Sequence, residues 1–225
     1  GFRSGLVFQH LGCQSDVLLH GQVSSQPGEE LIALPMLKNK HIDYLALGHI
    51  HSYQREKLDN RGTWCYCGCL EGRGFDECGE KGFVLLDVQP GKITSEFVPF
   101  ASRTLREVPV DITNLLTVNQ ILSAMEIAAA NIPEKDLVKF TLTGAYSLQT
   151  QKDLRFLKKM LEGRFYFVKI KDESRLQINR EDYEHDISLK GEFIRMVLAS
   201  DKSQAEKDQM ILLGIRALSG EEVAF

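Results

Sequence analysis

The sequence predicts an α+β chain built from successive compact parts, and three observations carry this. Short apolar runs of strand length fill the first hundred positions, strand and helix patterns alternate from Arg106 to Lys171, and two helical periodicities close the chain. A length of 225 residues, 43% hydrophobic and 26% charged, suffices for one large domain or two small ones. Composition shifts place the parts at residues 1–100, 101–180 and 181–225. The longest apolar stretch, Ile121 to Ile132, is interrupted by Ser123, Glu126 and Asn131. It falls short of the roughly 18 residues a membrane helix needs, so no membrane span is expected. The first twenty positions lack a signal-peptide core, which makes the cytoplasm the expected location. With 27 Lys plus Arg against 31 Asp plus Glu, net −4, bulk charge does not hold nucleic acid, and any DNA-facing surface is local.

Taken in order, Asp16 to His20 reads as a short buried strand that delivers a histidine to the turn at Gly21. Leu31, Leu34 and Leu37 at threefold spacing predict a helix over 29–40, bent near Pro35. Ile42 to Leu47 is a second buried strand, stopped by Gly48-His49-Ile50-His51. From Ser52 to Phe100 the pattern is all strand: 52–58, 63–67, 83–88 and 93–97, read as one antiparallel sheet. Turns fall at Asp59-Asn60-Arg61-Gly62 and Gln89-Pro90-Gly91-Lys92. A small α/β part follows, with strands 106–110, 137–143 and 165–171 and helices 118–131 and 151–162. Helices over 191–199 and 204–218 end the chain, the second capped by Ser203 and stopped by Gly220.

Chemistry is concentrated early, because five of the six histidines lie in the first 51 positions. Gly48-His49-Ile50-His51 sets two imidazoles just past a buried strand, where a turn eased by Gly48 aims both at one point. His20 ends another strand and supplies a third imidazole in an equivalent position, and ligands of open sheets gather at such ends. Imidazole is the commonest metal ligand, so His20, His49 and His51 are the candidate metal ligands.

These residues also carry a resemblance. Ile42-Asp43-Tyr44-Leu45-Ala46-Leu47-Gly48-His49-Ile50-His51, with Leu19-His20-Gly21 and the loop Glu71-Gly72-Arg73-Gly74-Phe75-Asp76-Glu77 running on to Gly79-Glu80-Lys81-Gly82, resembles the calcineurin-like metallophosphoesterases. Within them it is similar to the DNA-repair exonuclease branch of SbcD/YhaO-like proteins. The resemblance implies the C-terminal half of a metallophosphoesterase β-sandwich flanked by helices, then a capping domain over 101–180 and a C-terminal helical segment over 181–225. It implies DNA phosphodiester hydrolysis with two divalent ions, manganese above all, and an SbcC-like coiled-coil ATPase as partner. His20 and His49 would serve one ion and His51 the other. The family's Asp-x-His, Gly-Asp and Gly-Asn-His motifs have no counterpart here. The expectation is therefore a C-terminal part, inactive alone and holding at most one weakly bound ion, with an exposed sheet edge able to pair two copies as a homodimer. The alternatives are a metallophosphoesterase for other phosphoesters, and a non-catalytic partner-docking module.

Other features have plainer readings. Cys65-x-Cys67-x-Cys69, with Cys78 beyond, offers soft ligands, but alternating residues on a strand read better as thiols on one face. No disulfide framework is expected. Arg73, held between Gly72 and Gly74, is the candidate contact to a DNA phosphate; Arg55, Arg61 and Lys81 read as surface charge. The aromatic strand Arg164 to Lys169 reads as alternation across a half-buried strand rather than a base-stacking surface. Lys152, Arg155, Lys158 and Lys159 read as one solvated helix face. His10, His41 and His185 have no partner motif.

Overall fold

The computed structural model describes residues 7–11, 14–28, 31–179 and 181–218. The architecture is mixed α and β, with six helices among the described residues. The chain divides into two compact units, Gly1–Glu107 with Pro133–Lys139 and Arg164–Phe167, and Val108–Ile132 with Phe140–Gly163 and Val168–Phe225. Among the described residues no helix is long and apolar enough to cross a membrane.

The first unit runs through β1 (Val7–Leu11), β2 (Gln14–His20), β3 (Gln22–Ser24), β4 (Leu31–Ala33), α1 (Leu34–Leu37), β5 (Tyr44–Gly48), β6 (Gln54–Lys57), β7 (Thr63–Tyr66), β8 (Gly82–Gln89) and β9 (Lys92–Pro99). Its main sheet has the order β1-β2-β5-β7-β6. The inner pairs β2-β5 and β5-β7 are parallel and the outer pairs antiparallel. β5, with parallel partners on both sides, buries Tyr44 on one face and Leu45 and Leu47 on the other, as parallel strands covered on both faces do, whereas β2 buries Val17 and leaves Leu18 exposed. On one face Val17, Leu45, Leu47, Trp64 and Tyr66 form a core with Ile42 and Leu58, against which Val23, Ile32, Leu34 and Leu37 pack. Burying each such large side chain is worth roughly 1.5–3 kcal/mol.

Polar clasps fix the strand ends. The Tyr66 hydroxyl, fully buried, donates to the Gly21 carbonyl at 2.6 Å and accepts the Val23 N–H at 2.9 Å. Arg61 grips both carboxylate oxygens of Asp43, at 2.6 and 2.8 Å, and Asp43 accepts the Ser15 N–H at 3.0 Å.

Two expectations are corrected here. The helix over 29–40 is a strand followed by a single turn: β4 pairs parallel with β3, and Pro35 sits at the start of α1, where its missing N–H costs nothing. Tertiary pairing overrides the threefold leucine spacing. Nor do 52–100 form one antiparallel sheet. β6 and β7 join the main sheet through β5, whereas β8 and β9 make a separate hairpin turning between Gln89 and Lys92.

Next come β10 (Leu105–Asp111), α2 (Val118–Ala128), β11 (Leu137–Thr143), β12 (Ala145–Tyr146), α3 (Leu154–Glu162), β13 (Phe167–Asp172), β14 (Arg175–Leu176), α4 (Glu181–Glu184), α5 (Leu189–Ala199) and α6 (Gln204–Leu218). The strands β10, β11 and β13 form a three-stranded sheet in that order, and β12 pairs with β14. Thr117 and Gln120 close a reciprocal capping box on α2, and Asp153 caps α3. Lys152 leaves the expected basic helix face, since its ammonium pairs with Asp172 at 2.6 Å and lies over the Tyr146 ring. Ile194, Val197 and Leu198 of α5 pack with Ile211 of α6 and with Leu176. Ser203 caps α6, accepting the Glu206 N–H while its own N–H donates to the Glu206 carboxylate at 2.8 Å. Gly220 lies outside the described residues.

Candidate metal centre

Register brings two of the three histidines together. His20 ends β2 directly opposite Gly48, the last residue of β5, and the Gly21 N–H donates to the Gly48 carbonyl at 3.2 Å. The His20 and His49 rings are therefore neighbours, their centroids 5.4 Å apart and nearly perpendicular. A side chain at Gly48 would put its Cβ 2.9 Å from His20 Nδ1, so the bare backbone makes room for the imidazole. His49 turns with φ 106°, a conformation that non-glycine residues rarely adopt and that costs about 1–3 kcal/mol.

His51 sits in a different set of contacts. Its Nδ1 lies 2.6 Å from Glu77 Oε1, and the Arg73 guanidinium comes within 2.9 Å of the same nitrogen. The buried Lys81 ammonium donates to the His51 carbonyl at 2.8 Å and fixes this turn of backbone. Glu77 also accepts the Arg73 N–H at 3.0 Å on its other oxygen, which lies 3.9 Å from Cys69 Sγ. The Arg73 N–H foremost, and His51 next, pull the Glu77 carboxyl down to about 2. One donor atom each from His51, Cys69 and Glu77 falls within 4.8 Å of the others. Among the described residues no other set of three such side chains does so. Imidazole, thiolate and carboxylate together suit one zinc-type ion with a coordination position left open. Arg73, its side chain 72% exposed, rests on the atoms such an ion would use.

Cys69 and Glu77 were not expected here. β7 ends at Tyr66 and Gly68 turns the chain with φ 80°, so Cys65, Cys67 and Cys69 do not share one strand face. Cys65 is buried, its thiol pushed up by that burial; Cys67 is exposed; Cys69 reaches His51. The four described cysteines are all free thiols. A signal for Glu77 does exist in the glycine spacing of 72–82. Those glycines let the loop fold back on itself, with Glu77 N–H donating to Gly74 and Gly82 N–H to Cys69. Of the other cations, Arg61 is committed to Asp43 and Lys81 is buried, while Arg55 is exposed on β6. His41 and His185 are exposed; the side chain of His10 lies outside the described ones. Beside His20 runs a cleft of about 510 Å³, lined chiefly by apolar groups including Leu18, Tyr44, Cys65, Val84 and Leu86.

No family model matches the chain. A stretch of 122 residues, 52% of the chain, is 28% identical to the uncharacterized metallophosphoesterase YhaO of Bacillus subtilis (strain 168). The likeness supports the metallophosphoesterase superfamily. The mixed α+β architecture is compatible with such a fold, and use of a divalent metal is in keeping with it. The matched stretch spans 29% of that relative's length.

Proposed function

We propose that this chain is the C-terminal part of a metal-dependent, SbcD/YhaO-like exonuclease that hydrolyses DNA phosphodiester bonds together with an SbcC-like ATPase. The observation that supports it most is the strand-end register that sets His20 against Gly48 and so gathers His20 and His49, with His51 on the next turn. In this reading His20, His49 and His51 hold the divalent ions, two manganese ions in the complete enzyme. Bound metal supplies polarisation of the phosphate and a nucleophilic water at neutral pH. Glu77 orients the His51 ring through Nδ1, as carboxylates do for ligating histidines. Arg73 leaves His51 to meet a phosphate oxygen, which its planar fork suits. Among the described residues no carboxylate joins His20 and His49 in a cluster of three donors, and in this reading the chain by itself holds one weakly bound ion at most. Residues 101–180 serve as the capping domain, the C-terminal helices meet the ATPase, and the location is the cytoplasm.

Cleavage of a labelled DNA duplex with manganese, by the 225-residue chain and by a longer chain that includes Asp-x-His and Gly-Asn-His motifs, tests this. Activity is expected only in the longer form; robust cleavage by the shorter one overturns the assignment. A second reading, hydrolysis of phosphoesters other than DNA, draws on the apolar lining of the cleft beside His20. Preference for a small aromatic phosphodiester over DNA selects it.

A further inference from the structure

The three donors of the candidate metal centre are each pinned at or beside their backbone. The buried Lys81 ammonium donates to the His51 carbonyl at 2.8 Å, the Gly82 N–H to the Cys69 carbonyl at 3.1 Å, and the Glu77 N–H to the Gly74 carbonyl at 2.9 Å. Gly68, at φ 80°, turns the chain against His51: a Cβ there would lie 3.2 Å from the His51 carbonyl oxygen, so the bare backbone lets Cys69 come alongside. The Cys69 thiol faces that same oxygen at 3.5 Å. A cationic group already rests on two of the donors. A single guanidinium nitrogen of Arg73 lies 2.9 and 3.3 Å from the two ring nitrogens of His51 and 3.3 Å from Glu77 Oε1. The Arg73 side chain is 72% exposed, and an ion pair so open to water is weak. By contrast, among the described residues His20 and His49 do not join His51 as three donors within 4.8 Å of one another.

We propose that His51, Cys69 and Glu77 form a site for a borderline-soft divalent ion of the zinc class, and that Arg73 is its built-in competitor, displaced when the ion binds. Charge balances on both sides of this exchange. Without the ion, a protonated thiol and a neutral imidazole leave only the Glu77 carboxylate to be offset, and Arg73 offsets it. With the ion, the thiol gives its proton to solvent, thiolate and carboxylate together offset the two positive charges, and the guanidinium is repelled. Arg73 departs from an exposed position, so the exchange requires no unfolding of the loop. The sulfur sets the preference, because thiolate selects zinc whereas manganese favours oxygen ligands. The proposal goes beyond the nuclease reading and does not rest on it, since it gives Cys69 and Glu77 a metal of their own. The two meet at His51: an imidazole held by this ion is withdrawn from service with His20 and His49.

The test is zinc titration of the 225-residue chain against a chromogenic chelator, with manganese as competitor and no DNA present. Zinc should bind on the order of a hundredfold more tightly than manganese. R73A should tighten zinc binding about three- to fivefold, the scale of an exposed ion pair removed from the competition, while R73K, which keeps the charge, should stay near wild type. C69S should weaken zinc binding about tenfold or more, and C67S should leave it unchanged. Circular dichroism checks that each variant folds. A second readout needs no substitution: in the wild-type chain, zinc should move the Arg73 Nε–H resonance to the position and fast solvent exchange of an unpaired arginine. Unchanged or weaker zinc binding in R73A, an Arg73 resonance that zinc does not move, manganese bound as tightly as zinc, or zinc affinity that survives C69S overturns the proposal. DNA cleavage by a longer chain bears on the nuclease reading alone, and zinc binding by the 225-residue chain on this one alone, so the two fail separately.

Discussion

Glu77 Oε1 stands 2.6 Å from His51 Nδ1, and the opposite oxygen of the same carboxylate is the one that faces Cys69. One side chain thus links an imidazole and a thiol that are 18 residues apart in the chain. Cobalt reports such a site directly, because a bound thiolate gives a sulfur-to-metal charge-transfer band. The 225-residue chain should show that band on titration with cobalt. C69S should abolish it, and E77Q, which alters one of the three donor side chains, should weaken binding about tenfold or more. A band that survives C69S would move the site to another cysteine.

His49 keeps its left-handed turn at a cost that glycine would not incur. H49G should therefore raise the stability of the chain by about 1 kcal/mol while removing a donor from the His20 and His49 pair. Urea denaturation of wild type, H49G and H49A checks this; equal midpoints for H49G and H49A would show that no strain resides there.

The hydroxyl of Tyr66 ties β7 to the chain just after His20 through both Gly21 and Val23. Y66F removes both hydrogen bonds and leaves a carbonyl and an N–H in a closed environment. The expected loss is about 2 kcal/mol by chemical denaturation, with little change in the dependence on denaturant. A loss near zero would mean that water replaces the hydroxyl.

Asp43 carries a pH signature. Hydrogen bonds from Arg61 above all hold its carboxyl below the ordinary 3.8. A depressed value in the folded chain means that the unfolded chain takes up the proton first as pH falls. The stabilisation is thus present above about 3.8 and is lost as pH drops through the lower folded value. D43N should flatten this part of the acid limb of melting temperature against pH, relative to wild type. Parallel acid limbs for the two proteins would remove Asp43 from the account.

The strand ending at Gly48 was legible because a parallel strand buried on both faces leaves an unbroken apolar run, the one ending at His20 because Val17, Leu18 and Leu19 run together although Leu18 stays exposed, and the last helix because its Ser203 cap is a local signal. Leu31, Leu34 and Leu37 misled because a threefold spacing over so few residues fits a strand followed by one turn as well as a helix. The partner of β7 could not be read locally, since β5 lies across a turn-rich segment and β6 intervenes in sequence. The candidate site was half legible. Histidines at strand ends announce themselves, whereas Cys69 and Glu77 acquire their meaning only when the glycine-rich loop closes on His51.

The same register has a kinetic consequence. The hairpin of β8 and β9 closes over a turn between Gln89 and Lys92, and such closures take about 1–10 μs. Pairing β2 with β5 must instead join Asp16 to Tyr44, and pairing β5 with β7 must join Tyr44 to Thr63, each with an intervening crossover to confine. The histidine pair at the ends of β2 and β5 therefore comes into being late in folding, after the long-range search is over. An ion that needs both imidazoles has nothing to grip before then, so adding it should slow unfolding and leave the rate of refolding unchanged.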